Sequence, residues 1–285
     1  MTLQGVDLEV FGRTDIGKVR QKNEDAFVVV DLMQSLPINA MPAPITIHVD
    51  SRGVLLAISD GMGGAQAGEV ASALTLEGLR LEMPAGEGGT AESALRSSVE
   101  KANQKVWQLA ADTGRTGMGA TLTAVLIHGK RAYVAEVGDS RAYLLRGSNL
   151  VQVTHDQSFA QRLIDAGKMT DEQAETYQYK NVILQAIGTE PSVVVALNRF
   201  TLRRGDRILL CSDGLSGKVK HEEMRKILLT FPDLDAACLQ LIDLANSRGG
   251  QDNVTVVLAE ADGLGLPALA GGERVSLETV QAFVS

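Results

Sequence analysis

Two aspartates occupy equivalent places in two similar stretches of this sequence. Asp60 follows the apolar run LLAIS, Asp213 follows ILLCS, and a glycine comes directly after each of them. A single Asp-Gly pair usually marks only a turn, but acidic residues recur at predicted strand ends, at Asp25, Asp139 and Asp252. Carboxylates gathered at one end of a sheet repel one another unless a cation lies among them. The pattern therefore predicts a metal site, and oxygen ligands favour Mg²⁺ or Mn²⁺.

The residues around these aspartates fit the same chemistry. The run GMGG after Asp60 lets the backbone approach an ion, where the carbonyl of Gly61 could serve as a further ligand. The four histidines show no paired spacing typical of zinc sites, and the two cysteines are too few for a zinc framework. One of them, Cys211, lies inside an apolar run, so we expect it to be a buried thiol.

The elements that must position these residues follow from hydrophobic periodicity. Apolar β-branched runs predict strands, and the connections in the middle of the chain are short enough for antiparallel hairpins. Two pairs of helices interrupt the strands, with predicted ranges Ala67–Glu82, Thr90–Asp112, His221–Thr230 and Leu234–Ser247. Strand clusters that alternate with helix pairs predict one α+β domain, with antiparallel sheets in the middle and helices outside.

The bulk composition restricts the possible partners. The chain has 285 residues and a formal net charge of −8 at pH 7, which disfavours binding to nucleic acid or to an anionic membrane. The first residues lack the pattern of a secretory signal, and no apolar run reaches the roughly 18 residues of a membrane span. We expect a cytoplasmic monomer with no nucleic-acid and no membrane partner.

Seven motifs, in order, resemble those of the PPM (PP2C-type) metal-dependent Ser/Thr protein phosphatases, and DGMGG resembles the bacterial branch. They are TDIGKVRQKNEDAF, ISDGMGGAQAGEVAS, GATLTAVLI, VAEVGDSRAYLL, VTHDQS, GDRILLCSDGL and GGQDNVTVVL. The resemblance runs from Val6 to Glu260 and implies a four-layer α-β-β-α sandwich of two antiparallel sheets flanked by helix pairs. It also implies a catalytic domain over residues 1–260, with a flap in residues 156–188, and leaves residues 261–285 as a C-terminal appendage.

The resemblance implies a two-metal centre of Mn²⁺ or Mg²⁺ ions. Asp60 would bridge the two ions, and Asp213 and Asp252 would complete the ligands of the first. The Gly61 carbonyl would reach the second ion, and Asp25 would hold metal-bound water. A hydroxide that bridges the ions would attack the phosphorus of phosphoserine or phosphothreonine directly.

The remaining roles implied by the resemblance concern the surroundings of that centre. Glu24 would hold metal-bound water together with its neighbour Asp25. Asp139, with Asp213, matches the position of a third ion in bacterial members. Arg20 matches the arginine that binds the phosphate and stabilises charge on its oxygens. The substrate would be a phosphorylated protein, and the enzyme would oppose a Ser/Thr kinase.

Two residues depart from the family pattern. Many eukaryotic members have a histidine after the Asp-Gly pair as a general acid, whereas this chain has Met62, which cannot donate a proton. In the flap, Lys180 stands where an arginine is usual, and lysine lacks the planar fork of arginine. We expect Arg141 to be structural and to pair locally with an acid.

Two alternatives to the phosphatase interpretation stay open. A degenerate PP2C fold could sense or bind a partner without turnover, although such proteins usually lose metal ligands and none is missing here. A two-metal nuclease or phosphodiesterase uses similar carboxylates. Its nucleic-acid substrate would favour basic and aromatic surfaces, and this chain is acidic with one tryptophan.

Overall fold

The computed structural model describes residues 5–63, 67–83, 89–115, 117–270 and 272–283. Gly64, Ala65 and Gln66 of the glycine-rich motif lie outside the described residues, as do residues 84–88 of the loop PAGEGG. The helices are α1 (Ala67–Glu82), α2 (Ala91–Thr113), α3 (Phe159–Asp165), α4 (Asp171–Glu175), α5 (Asp213–Ser216), α6 (His221–Thr230) and α7 (Leu234–Ser247). The strands are β1 (Val6–Asp15), β2 (Asp25–Asp31), β3 (Leu36–Ile38), β4 (Ile45–Val49), β5 (Val54–Met62), β6 (Gly119–Ala120), β7 (Leu122–His128), β8 (Arg131–Val137), β9 (Arg141–Arg146), β10 (Asn149–Gln152), β11 (Ala196–Thr201), β12 (Asp206–Cys211), β13 (Val254–Asp262) and β14 (Glu278–Gln281).

The strands form two antiparallel sheets that pack face to face. The first sheet has the strand order β10-β9-β12-β13-β1-β4, and the second has the order β14-β11-β8-β7-β5-β2-β3, with β6 paired to β5. Helices α1 and α2 pack on the second sheet, and α7 packs on β1 and β13 of the first with α6 beside it. This arrangement confirms the predicted α-β-β-α sandwich.

The buried strands show why the chain forms two cores. In β2, Phe27 and Val29 belong to the first hydrophobic cluster, which includes residues of both sheets and of α6 and α7. Val28 and Val30 belong to the second cluster, between the second sheet and the helices α1 and α2. Successive side chains of a strand point to opposite faces, so a continuous apolar run suits a strand covered on both sides.

Several predicted elements are confirmed with small shifts. Helix α1 has its predicted ends, whereas α2 begins at Ala91 because Thr90 is its N-cap, with an extended backbone and a side chain that accepts a hydrogen bond from the Ser93 N–H. Strand β5 continues past Asp60 to Met62. Cys211 is buried as predicted. None of the helices in the described ranges is long and apolar enough to cross a membrane.

The C-terminal segment packs along the sandwich. Strand β13 extends to Asp262, and Leu266 is buried in the first cluster. Glu273 forms an ion pair with Arg203 at 2.7 Å. Strand β14 then pairs with β11 and becomes the edge of the second sheet, where Arg199 contacts Glu278 at 2.7 Å. These contacts join residues beyond position 260 to the sandwich. The predicted domain boundary at residue 260 stays a prediction.

Truncation tests that boundary. A chain that ends at Asp262 should have a free energy of unfolding lower by about 2 kcal/mol or more, because it loses a fully buried leucine together with β14 and an ion pair. Urea unfolding followed by circular dichroism measures the difference, and a chain that ends at Ala282 is the matched control because it keeps β14. If both truncated chains unfold like the full chain, residues 261–285 are a separate appendage.

Candidate metal centre

The predicted site residues come from distant parts of the chain, and the strand pairing brings them together. Asp25 begins β2 and lies directly opposite Asp60 of β5 in the antiparallel register. Asp213 is the first residue of α5, just after β12. Asp139 lies in the turn between β8 and β9, and Asp252 comes two residues before β13. One end of the sandwich therefore collects aspartates from both sheets.

These residues surround an open cavity of about 290 Å³. The predicted site residues in its wall are Arg20, Glu24, Asp60, Gly61, Asp139, Asp213 and Asp252. The rest of the wall consists of Met62, Gly63, Thr121, Asn181 and Ile183. The remaining predicted residue, Asp25, is buried and is not among the residues that line the cavity.

The loop before β2 is fixed by one buried amide. The side chain of Asn253 accepts a hydrogen bond from the Glu24 N–H at 2.8 Å. Its Nδ2 donates to the carbonyls of Ile16 and Lys22, at 3.0 and 2.9 Å. Asn253 thus ties both ends of the loop that carries Arg20 to the start of β13.

The buried Asp25 carboxylate is held by a serine of the first sheet. Ser212 Oγ donates to Asp25 Oδ2 at 2.7 Å and accepts from the Thr255 N–H at 3.0 Å. Ser212 directly precedes Asp213, so one short segment supports a carboxylate from the other sheet and presents a carboxylate of its own.

A group of buried hydroxyls positions Asp60. The Asp60 N–H donates to Thr121 Oγ1 at 3.0 Å, and the Thr121 N–H donates to the Asp60 carbonyl at 2.8 Å. Thr121 Oγ1 also lies 2.8 Å from the hydroxyl of Ser140, next to Asp139. Ser59 Oγ donates to the Thr121 carbonyl at 2.6 Å. The backbone at Asp60 is therefore linked to the turn that carries Asp139.

Both glycines that follow the repeated Ser-Asp pairs lie against backbone. A Cβ atom on Gly61 would collide with the carbonyl of Gly68, in the first turn of α1. A Cβ atom on Gly214 would collide with the carbonyl of Asn253. Only glycine allows so close an approach, and each aspartate is thereby held close to the neighbouring segment.

The electrostatics of the cluster resist full ionisation. The pKa of Asp25 is raised to about 7, chiefly by burial and also by the charges of Asp213 and Asp252. The pKa of Asp139 is raised to about 8 by burial and by Asp213. Burial, followed by the charges of neighbouring aspartates, raises the pKa of Asp60 as well. A bound cation would favour the ionised forms of all these groups.

Two buried carboxylate oxygens of the aspartate cluster lack a partner within the part of the chain that the structure describes. They are Oδ1 of Asp25 and Oδ1 of Asp213. Buried polar atoms normally have a hydrogen bond or contact an ion. A bound cation would supply the missing partner of these two oxygens. No three acidic, histidine or cysteine side chains in the described ranges are gathered closely enough to coordinate one ion as they stand.

Arg20 lies at the mouth of the cavity, and its side chain is 46% exposed. Its Nη2 donates to Asp252 Oδ2 at 2.9 Å, and its Nη1 lies 3.6 Å from Glu24 Oε2. The hydrogen bond to Asp252 is the main cause that raises the pKa of Arg20. The guanidinium therefore stays charged and close to the acidic wall.

Comparison with known proteins assigns the fold and the motifs to a family. Residues 44–259 match the family model described as protein phosphatase 2C. The chain belongs to the protein phosphatase 2C family. This confirms the resemblance seen in the motifs, and the PP2C match spans the segments that carry Asp60, Asp139, Asp213 and Asp252.

Named bacterial relatives agree with the PP2C match. The Ser/Thr protein phosphatase PstP of Mycobacterium tuberculosis is 38% identical over 254 residues, 89% of this chain and 45% of PstP. This chain thus spans less than half the length of PstP. The Ser/Thr phosphatase stp of Listeria monocytogenes is 35% identical over 258 residues, 88% of this chain and 94% of stp.

Solved structures of PP2C relatives share the fold. The catalytic domain of PstP in complex with two manganese ions matches with a TM-score of 0.75 and 36% identity, over 90% of this chain and 99% of that domain. The phosphatase Stp1 of Staphylococcus aureus matches with a TM-score of 0.79 and 33% identity, over 90% of this chain and 96% of that one.

The two departures from the PP2C pattern have clear positions. Met62 lies in the cavity wall beside Asp60. Lys180 of the flap donates from Nζ to the carbonyl of Glu175 at 3.0 Å, whereas its neighbour Asn181 lines the cavity. The predicted flap therefore brings the amide of Asn181 to the wall, next to its lysine.

The contacts made by some residues that support the site are not indicated in the sequence. Ser212, Thr121 and Asn253 each hold a site residue through a contact that is distant along the chain. Ser212 and Ser59 do share one hint, because each precedes an aspartate in the repeated motif. The residue type alone does not say which partner each hydroxyl reaches.

Ser212, Thr121 and Asn253 form a hydrogen-bonded frame that holds the site residues. Removal of one supporting hydroxyl tests this frame. We expect Ser212→Ala to lower the free energy of unfolding of the metal-free protein by about 1–3 kcal/mol, because the Asp25 carboxylate and the Thr255 N–H lose a buried partner. Urea unfolding measures the change. Ser247→Ala, at an exposed hydroxyl near the end of α7, is the matched control and should change it by less than about 0.5 kcal/mol. Equal effects of the two substitutions would contradict the assignment.

Proposed function

We propose that this protein hydrolyses the phosphate esters of phosphoserine and phosphothreonine side chains in proteins, and that it requires Mn²⁺ or Mg²⁺. The observation that carries the proposal is the carboxylate-lined cavity with Arg20 at its mouth. The PP2C family of the chain supports it, as do relatives that are named Ser/Thr phosphatases. The same observations favour an active enzyme over a degenerate binding module, because every carboxylate predicted for the metal site is present.

The donor set of the cavity suits hard divalent cations. Its wall offers carboxylate and carbonyl oxygens, and the described lining contains neither histidine nor cysteine. In the proposed arrangement Asp60, Asp213, Asp252 and the carbonyl of Gly61 would hold two ions after small side-chain rotations. Bound there, the ions would neutralise phosphoryl charge and activate a water molecule as the nucleophile.

The other acidic residues would support this arrangement. Asp25, which lies opposite Asp60, would hold metal-bound water molecules. Glu24, which lies beside Arg20, would do the same. Asp139, together with Asp213, would provide a third cation position. The rigid hydroxyl and amide contacts of the frame mean that these carboxylates need little reorganisation, which is what preorganised electrostatic catalysis requires.

Arg20 would bind the phosphoryl group of the substrate. In the structure its guanidinium contacts Asp252 and Glu24, and it is half exposed at the mouth of the cavity. A guanidinium can donate two parallel hydrogen bonds to two phosphate oxygens. Arg20 would therefore exchange one carboxylate partner for the phosphate and orient it towards the acidic wall.

The leaving group must find its proton elsewhere than on Met62. This side chain lies in the wall at the position where many eukaryotic members of the family have a histidine, and a thioether has no proton to donate. Departure of the serine or threonine oxygen would rely on water as the proton source. Aryl phosphates should suffer less from the missing acid, because their leaving groups are stable as anions.

We also propose that the protein acts in the cytoplasm, as a monomer, and opposes a Ser/Thr kinase. Both cysteines are free and buried, which suits a reducing compartment. The acidic net charge of −8 argues against a nucleic-acid or anionic-membrane partner.

A metal titration tests the proposed activity. Chelator-stripped protein should gain saturable p-nitrophenyl phosphate hydrolysis as Mn²⁺ is added, and Asp213→Asn should lower kcat/KM by on the order of 10³-fold, because a ligand that supplies several kcal/mol is lost. Asp243→Asn, at an exposed position of α7, is the matched control and should behave like the unchanged chain.

The same assay separates the alternatives. Turnover of bis(p-nitrophenyl) phosphate in preference to the monoester would indicate a phosphodiesterase. Folded protein without turnover at any Mn²⁺ concentration would contradict the proposal and indicate a binding module.

A further inference from the structure

Gln157, at the entry of the flap, is buried and bonds to the strand end that carries Asp139. Its Oε1 accepts a hydrogen bond from the Gly138 N–H at 3.0 Å, and its Nε2 donates to the carbonyl of Glu136 at 3.1 Å. Its backbone N–H donates to the Gly138 carbonyl at 2.8 Å. Gln157 therefore pairs with both backbone polar groups of the residue directly before Asp139.

The same residue reaches the exit of the flap. Its Oε1 also accepts from Nε2 of Gln185 at 3.0 Å, and its backbone carbonyl accepts from the Leu184 N–H at 2.8 Å. Gln185 is in turn bonded to Val194, by Nε2 to the carbonyl at 2.9 Å and by Oε1 to the N–H at 2.7 Å. The entry and the exit of the flap thus meet at one buried amide.

Between these two ends the flap forms part of the cavity wall. Asn181 and Ile183 line the cavity, as does Asp139. Ile183 forms an isolated antiparallel bridge with Ser158, the residue after Gln157. The wall residues Asn181 and Ile183 are only a few positions from the flap exit in the sequence. A shift of the flap ends would therefore move the cavity wall.

An ion pair joins the same two segments beside the amide. Arg141 contacts Asp156 through Nε and Nη2, at 2.7 to 3.0 Å, as predicted for a structural arginine. Asp156 directly precedes Gln157, and Arg141 follows Asp139 by two residues. The ion pair holds the flap entry to the turn, while Gln157 adds the flap exit to that contact.

We propose that Gln157 is a positioning residue that clamps both ends of the flap to the Asp139 turn and so fixes the shape of the substrate cavity. The inference rests on the proposed function, because it concerns how that cavity receives a phosphopeptide. A glutamine suits the task, since its amide oxygen accepts two hydrogen bonds while its nitrogen donates. Methionine has a similar length but would leave the Gly138 N–H and the Glu136 carbonyl buried without these partners.

The test compares Gln157→Met with Gln240→Met in the full chain. Gln240 is the matched control because it is an exposed glutamine of α7, outside the flap, and its substitution should leave KM for both substrates unchanged. With saturating Mn²⁺, Gln157→Met should raise KM for a phosphothreonine peptide about tenfold, as expected when buried hydrogen bonds are lost, with kcat within about twofold. KM for the small p-nitrophenyl phosphate should change by less than about twofold, because that substrate makes few contacts with the flap.

Amide hydrogen exchange of the metal-free protein provides a readout that needs no turnover. In Gln157→Met, amides of residues 157–159 and 182–185 should exchange about tenfold faster, while those of β7 and β12 keep their protection. Unchanged exchange at the flap ends, or an equal loss of protection throughout the chain, would overturn the clamp. If the wild-type chain hydrolyses no phosphomonoester, the proposed function fails, while faster exchange confined to the flap ends still supports the clamp.

A second variant covers the case in which Gln157→Met does not fold. Gln185→Met removes one of the two hydrogen bonds to Gln157 Oε1 together with the two bonds to Val194, and it leaves both bonds to Gly138 in place. It should speed amide exchange at the same flap residues and raise KM for the phosphothreonine peptide, and both changes should be smaller than in Gln157→Met. Flap amides as protected as in the wild-type chain would overturn the proposal here too.

Discussion

The repulsion between aspartates that the backbone holds together is the constraint on which the rest of this structure depends. Asp25 and Asp60 face each other on adjacent strands, a placement that is unfavourable for two like charges. Burial removes the water that would screen them, and the pKa of Asp25 rises accordingly. A bound cation would offset this repulsion, and the catalytic domain of the relative PstP has been solved in complex with two manganese ions.

The two Ser-Asp-Gly segments, residues 59–61 and 212–214, make the same kinds of contact in the frame. In each Ser-Asp-Gly segment the glycine lets the backbone touch a neighbouring carbonyl, at Gly61 and at Gly214. In each the serine hydroxyl donates to a neighbouring segment, to Asp25 from Ser212 and to Thr121 from Ser59. One segment belongs to each sheet, so the cavity forms where the two sheets approach each other.

The sequence predicted what depends on local pattern and left out what depends on distant contacts. The layers, the helix pairs and the aspartates follow from periodicity and from the repeated motif. The bond from Ser212 to Asp25 joins residues 187 positions apart, and no local feature indicates it. The contacts of Gln157 are hidden for the same reason, because nothing in the sequence distinguishes this buried glutamine from an ordinary polar residue. Strand β14 is four residues of ordinary polarity, and only pairing with β11 makes it a strand.

The melting temperature of chelator-treated protein, with and without Mn²⁺, tests the central claim that a cation relieves this repulsion. At about a hundredfold excess over its Kd, one bound ion should add about 2.7 kcal/mol to the free energy of unfolding, or roughly 5 °C or more in melting temperature. Asp60→Asn, which removes the charge that four other aspartates surround, should melt above the wild-type chain without metal and gain less from Mn²⁺. Two results together would contradict the account: Mn²⁺ does not change the melting temperature of the wild-type chain, and Asp60→Asn is no more stable than the wild type without metal.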